Sequence, residues 1–466
     1  MGGCGKKFFR KYFDIRCFTQ EQQKHFFFNL ALGILVMLFF IMLENTSWGQ
    51  AVINDWFDAY IALRTGENTA ARRAAEQIVF LEFDDRSMKE MGRPDITPRD
   101  KVAELAEAAY QGGAKLIVLD MNFAEPDYSP ERQAAGDAAS MDGRTRDQKL
   151  FTVLQQIQQG DTGTRLLLPM MAYADHTMQP NIFASLVDNK NIYFVTPAFT
   201  SGRGNDKQVR FWMPYLKMQD AATGEEKVVW SIPMMSLAIV DAGMEQMPGL
   251  AKKLLDEVPG HYSLELRDAG RDRSFVFHRE EMEGKGIIRD AESHQYNRIQ
   301  YAVVPRELSQ SYFAASVSLR NLGHWRKDGI DNQGIDYRNK IVVIGRSDQD
   351  CADFSGTPVG DMPGMYIHAN SIATVLGEPH PHLTPMYKHV IIELVLIVLA
   401  AYAFLHLHTI VAKLALGILF VVCWICSYLY FCWTSEFVNL SFSFMGIGIH
   451  DLVSRMEALF EAESKK

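Results

Sequence analysis

Residues 26–43 (FFFNLALGILVMLFFIML) run for 18 positions without a charge, and Asn29 is the one polar side chain among them. A helix of that length is just able to cross a hydrocarbon layer of ~30 Å, so membrane insertion constrains everything that follows. A secretory signal is the rival reading, but its apolar region would run to ~7–15 residues and end in a small-x-small cleavage site. Here the longer core is followed by Glu44-Asn45-Thr46-Ser47-Trp48, which predicts an uncleaved anchor. The opening MGGCGKK has Lys6 where myristoylation requires Ser or Thr, which discounts lipidation. Two more spans are predicted at 387–405 and 410–432, close enough in sequence to form a tight helical hairpin. Residues 437–453 are diluted by Asn439, Ser441, Ser443, His450 and Asp451, yet read as a fourth span.

Orientation follows the basic residues beside the first span. Lys6, Lys7, Arg10, Lys11, Arg16 and Lys24 outnumber Asp14 and Glu21, which places residues 1–25 in the cytoplasm. One span before and three after put residues 44–386 on the far side, the periplasm of a bacterium, and return the tail 454–466 to the cytoplasm. The expectation is a multi-pass inner-membrane protein whose first partner is the lipid bilayer. Across the chain 47 Lys and Arg face 56 Asp and Glu, a net charge of -9, which does not suit a polyanion as main partner and excludes nucleic acid. Of the six cysteines only Cys351 falls in the external segment, so no internal disulfide forms there and a hydrophobic core must hold it. Cys351 reads as a small buried apolar residue, with an intermolecular disulfide or a reactive thiol as the alternative.

Within that segment, apolar runs of strand length alternate with helical patterns, the signature of an α/β sheet. QIVFLEF at 77–83 ends in Asp84-Asp85, Val102, Leu105, Ala106 and Ala109 follow at helical spacing, and KLIVL at 115–119 ends in Asp120. Strand, helix and strand, both strands nearly all apolar, make a parallel βαβ unit. RLLLPMM at 165–171 and KIVVI at 340–344 read as further members of the sheet, and residues 190–305 as a β-rich insertion with a small sheet of its own. The predicted fold class is an α/β extracytoplasmic domain, a mostly parallel sheet with flanking helices and that insertion, plus helical transmembrane segments.

Two stretches carry a family resemblance: IVFLEFDDRSMKEMGRPDITPRDKVAELAEAAYQGGAKLIVLDMNFAEPD at 78–127 and NKIVVIGRSDQDCADFSGTPVGDMPGMYIHANSIATVLG at 339–377. They resemble the opening and closing parts of the type-two CHASE domain, the cyclase/histidine-kinase-associated sensory extracellular family. The family shows a strand ending in an acidic pair, Ser soon after, a Pro-Arg turn and a second strand ending in Asp. It closes with Ile-Gly, Asp before Thr-Pro, Pro-Gly and His-Ala-Asn entering a helix. The resemblance implies an extracytoplasmic sensor followed by three spans. Two departures stand out. The aromatic Trp-Pro-Trp usual in the family is replaced by residues 94–98 (PDITP), and only residues 454–466 follow the last span, where relatives carry a cyclase or kinase. Thirteen residues do not fold into a catalytic domain, so the expectation is a chain that senses but generates no messenger itself.

Candidate ligand-binding residues are Asp84, Asp85, Arg99, Asp120, Glu125, Asp353, His368 and Asn370, because open α/β sheets place their crevice at the carboxyl ends of parallel strands. Asp85, Asp120 and Asp353 could supply oxygens to Mg²⁺ or Ca²⁺, although caps and ion pairs with Arg99 or Arg346 are the plainer reading and no cofactor is the expectation. His368 and Asn370 read as pinning the last helix of the domain. No phosphate loop, GxGxxG, HExxH or GxSxG motif occurs, so the reading is not an enzyme, with a metal-dependent periplasmic hydrolase as a weaker alternative. In the membrane, Asn29, Glu393, Cys423 and Cys426 read as helix-packing positions, Glu393 either meeting another helix or lying near the interface. Two functions remain: a receptor relaying an envelope signal to a separate partner, or a structural scaffold within an envelope complex. Either suits a homo-oligomer or a subunit among other membrane proteins.

Overall fold

The computed structural model describes residues 19–44, 46–64, 70–127, 146–173, 175–187, 190–197, 199–200, 208–221, 223–241, 243–256, 261–268, 271–278, 298–302, 322–331, 334–351, 353–377, 380–407 and 409–440. The chain divides into two units, Ile61–Gly202 with Asp206–His382, and Met1–Tyr60 with Arg203–Asn205 and Leu383–Lys466.

The larger unit is built on a seven-stranded sheet. Its strands are β1 (Ile78–Phe83), β2 (Leu116–Asp120), β3 (Arg165–Pro169), β4 (Ile192–Val195), β5 (Leu322–Arg326), β6 (Gly329–Asp331) and β7 (Ile341–Arg346). The order is β6-β5-β1-β7-β2-β3-β4, and every pairing is parallel except that of β6 with β5. Continuous apolar strands such as IVFLEF, buried at all six positions, suit a sheet covered on both faces. The last strand of this sheet in chain order, β7, lies between the first two and pairs Ile78 with Ile341 and Ile341 with Leu116.

Alternation along the strands divides the side chains between two layers. Val79, Leu81, Phe83, Ile117, Leu119, Val342 and Ile344 pack with Val102, Leu105 and Ala106 of the Arg99–Gln111 helix and Leu150, Leu154 and Ile157 of the Arg146–Gln159 helix. On the opposite face lies the Gly364–Leu376 helix, whose Tyr366 ring stacks on Phe80 at 5.0 Å. All residues from Gly364 to Val375 are buried, so this helix has no solvent face, and its Asn, Ser and Thr side chains turn to backbone. Asn370 Nδ2 donates to the Tyr366 carbonyl at 2.8 Å, Ser371 Oγ to Ile367 at 2.8 Å and Thr374 Oγ1 to Asn370 at 2.7 Å.

Three assignments in this unit differ from the sequence reading. Ile192–Val195, placed in the insertion by its sequence position, is the edge strand β4 and pairs Leu166 with Ile192. Its hydrogen-bond partner, not its neighbours in the chain, decides its sheet. Among the described residues, the strands of the rest of the insertion form separate two-stranded ladders, Phe199–Thr200 with Phe211–Trp212, Tyr215–Gln219 with Glu226–Trp230, and His261–Asp268 with Arg271–His278, rather than one sheet. β5, with the sequence LGHWR, has no apolar run and was not legible as a strand; its pairing with β1 makes it one.

In the other unit, Gln22–Glu44, Met386–His406 and Ile410–Thr434 are long and apolar enough to cross a membrane, matching three of the four expected spans. Most of the fourth, residues 441–453, and the tail 454–466 lie outside the described residues, as do all the N-terminal basic residues but Lys24. A helix at Ser47–Arg64 was not anticipated. Asn54, Asp55 and Asp58 hide its pattern, yet Ile53, Phe57 and Tyr60 recur at helical spacing and are buried. Phe57 stacks on Phe437 at 4.5 Å, and the Tyr60 hydroxyl donates to the Trp424 carbonyl at 3.3 Å. Asn29, Glu393 and Cys423 line a common cavity of about 80 Å³ with Glu44 and His389, and Glu393 is buried, which favours the helix-contact reading. Cys426 is exposed and takes no part.

Candidate functional site

Strand register creates the site. One row across the sheet reads Glu82 on β1, Gly345 on β7 and Asp120 on β2, so two carboxylates leave the same face near the carboxyl ends with a glycine between them. Only glycine fits there, because a β-carbon at Gly345 would stand 2.8 Å from Met365 Cβ and 3.3 Å from Asp120 Cβ. The buried helix Gly364–Leu376 lies over that row and gives each carboxylate a different partner. The Tyr366 hydroxyl donates to Glu82 Oε2 at 2.8 Å, while His368 Nε2 stands 3.4 Å from Asp120 Oδ1.

Around Glu82 the charges are matched. His324 Nδ1 lies 3.2 Å from Glu82 Oε1 and 3.3 Å from Asp84 Oδ2, and Arg326 forks onto Asp84 at 2.8 and 3.0 Å. Asp84 also caps the Asp85–Glu90 helix by accepting from Ser87 N at 2.8 Å. Burial pushes Asp84 up, but His324, Arg326 and Ser87 outweigh it and hold the carboxyl far below the usual range. Glu82 moves the other way: burial raises it, against opposing hydrogen bonds from Ser347 and Tyr366. Glu82, Asp84 and His324 are the one trio among the described residues whose possible ligand atoms lie within 4.8 Å of one another. The Arg326 guanidinium already occupies the cation position against Asp84.

Around Asp120 the charges are not matched. Asp120, Asp353 and His368 line a cavity of about 420 Å³ together with Thr97, Arg99, Met121, Asn122, Glu125, Met171, Phe199 and Arg346. Among the described residues no donor hydrogen-bonds to either carboxylate. Burial, and then the neighbouring Asp353, pushes Asp120 well above the carboxylate range. Asp353, at the open side of the wall, is raised to about 6 by the partial burial of its carboxyl. Burial lowers His368 to about 3, so its ring is neutral, and its Nδ1 has no hydrogen-bond partner. Gly364 makes room for this arrangement, since a β-carbon there would collide with the Asp353 carboxylate.

The candidate residues therefore separate. Arg99, Asp120, Glu125, Asp353 and His368 share the cavity. Asp84 belongs to the matched cluster, and Asp85, half-exposed, accepts from Gln349 N at 3.2 Å and lies 3.9 Å from Arg93. Asp120 and Asp353 line the cavity and Asp85 does not, so the three do not converge there. Asn370 is spent on its own helix. Arg99 is buried; its Nη2 donates to the Asn122 carbonyl at 2.5 Å, its face lies over Phe123 at 4.5 Å, and Asp127 accepts from its backbone N–H at 3.0 Å. Sequence reasoning missed Phe199 and Met171 in the cavity wall and His324 and Arg326 beside Asp84. Glu82, the lone acid in an apolar strand, was the signal it passed over.

The larger unit is thus a mostly parallel α/β sheet with a cavity at its carboxyl ends, in a chain that also carries three helices long and apolar enough to cross a membrane. The CHASE2 domain family matches residues 33–405, and the chain belongs to that family. Neither the curated proteins nor the solved structures yield a match.

Proposed function

We propose that this protein is a bacterial inner-membrane receptor whose periplasmic domain takes a small molecule into the Asp120–Asp353–His368 cavity and relays its occupancy through the membrane helices to a separate protein. The observation that supports the reading most is the pair of raised carboxyls facing about 420 Å³ of space beside a neutral His368. Strained electrostatics of this kind are retained where a site meets something other than the protein itself. The reading is a binding module, not an enzyme, with no resident cofactor, and it suits a homo-oligomer or a complex with other envelope proteins.

The test is purification of the full chain from its host in mild detergent, with co-purifying chains identified by mass spectrometry, for the native sequence and for Met171→Trp, which fills the cavity. A stoichiometric cytoplasmic kinase or cyclase whose activity changes in Met171→Trp is the expected result. Structural envelope proteins alone, bound equally by both forms, would make the chain a scaffold instead.

A further inference from the structure

The chemistry of the cavity wall narrows what it accepts. Both arginines on the wall are already committed. Arg346 forks onto Asp348 at 2.8 Å through both Nε and Nη2, and Arg99 spends its guanidinium on the Asn122 carbonyl and the Phe123 face, with Asp147 4.0 Å from its Nε. An anion would find Arg99 Nε without a hydrogen-bond partner, but that atom is buried and already faces Asp147 at 4.0 Å. The acids are the reverse case: Asp120 and Asp353 accept no hydrogen bond from a described residue, and Glu125 stands exposed on the same wall. Unfilled acceptors facing a cavity call for donors.

His368 is an independent sign of an intended occupant. Its side chain is 3% exposed, it lines the cavity, and its buried Nδ1 has no partner. Buried polar groups are normally satisfied. A chelated divalent ion does not suit the geometry, because Asp120, Asp353 and His368 do not bring their ligand atoms within 4.8 Å of one another, whereas Glu82, Asp84 and His324 do. An ammonium group carries its donors in three directions at about 2.8 Å each and bridges acceptors that a small ion cannot reach together. Pro169, Met171, Pro197, Phe199 and Met121 supply an apolar wall for the carbon skeleton behind it.

Resting on the sensor reading above, we propose that the cavity recognises a small organic primary amine, its ammonium held between Asp120 and Asp353 and its apolar body against Met171 and Phe199. The test uses the full chain in lipid nanodiscs and calorimetric titration with three compounds of one shape: benzylamine, benzyl alcohol and benzoate, plus calcium chloride. Benzylamine should bind, and benzyl alcohol and benzoate should bind about tenfold more weakly or not at all, the scale of a charge-assisted hydrogen bond. Asp353→Asn should weaken benzylamine about tenfold, and Met171→Trp, which keeps both carboxylates, should abolish binding. Unaltered far-ultraviolet dichroism and a cooperative thermal transition show that both variants are folded. Preference for benzoate or benzyl alcohol, lost in Met171→Trp, would overturn the amine and leave a receptor for other chemistry. Calcium binding lost in Asp353→Asn would make the pair a metal site and overturn the amine, as would the absence of binding by all four probes. The sensor reading is decided separately, by the co-purifying partner.

Discussion

Two acid clusters flank Gly345 on the same sheet row, and they are built on opposite terms. Glu82 and Asp84 have Arg326, His324, Tyr366 and the Ser87 N–H within contact. Asp120 and Asp353 have each other and a neutral His368. A fold that needs only stability neutralises its buried acids, because breaking or omitting a partner leaves an expensive charge. The difference teaches that the first cluster ties β5 to β1, whereas the second leaves its carboxyls on a cavity wall without a cation against them, the feature on which the proposed site rests.

The comparison breaks most visibly at Asp84. Asp84→Ala removes the Arg326 fork and the helix cap together and should destabilise the domain by about 3 kcal/mol in chemical denaturation of the full chain. Since its folded carboxyl lies below its unfolded one, that loss is complete at pH 7 and shrinks only as the pH falls below about 4. An unchanged midpoint would remove the distinction between the clusters.

Asp353→Asn should act in the opposite direction. Its folded carboxyl is raised to about 6, so the folded state binds the proton more tightly, and stability falls as pH rises from about 4 through 6. The amide escapes that loss, and at pH 7 the variant should melt roughly 2 °C higher, a gain below about 1 kcal/mol because the group is open to solvent. Its melting temperature should also vary less between pH 4 and 6. A lower melting temperature at pH 7 would show that Asp353 is stabilising after all. The smallest effect is expected at Asp85→Ala, within about 0.5 kcal/mol and without influence on ligand uptake, since that side chain lies away from the cavity.

Much of this was readable in advance where the physics is local. IVFLEF, LIVLD and IVVIGR are strands because continuous apolar runs of that length suit a covered parallel sheet, and Asp120 and Asp353 follow from acids near strand ends. LGHWR was illegible because nothing within five residues specifies a strand; its pairing with Phe80, Leu81 and Glu82, some 240 positions away, does. Asp84 and Asp85 part company for a related reason. Adjacent residues at a strand-to-helix junction point apart, and one becomes a cap while the other faces the surface.

The membrane helices, the parallel βαβ core, the family and the acidic character of the domain were set by the sequence alone, because they depend on run length, period and composition. Only the tertiary structure decided which acid meets which partner. Inserting β7 between β1 and β2 puts Gly345 between two carboxylates, and laying a fully buried helix across that row gives one of them Tyr366 and the other His368. Electrostatic character depends on distances of a few ångströms in a medium of low polarizability, and such distances arise from packing between segments that no local pattern records.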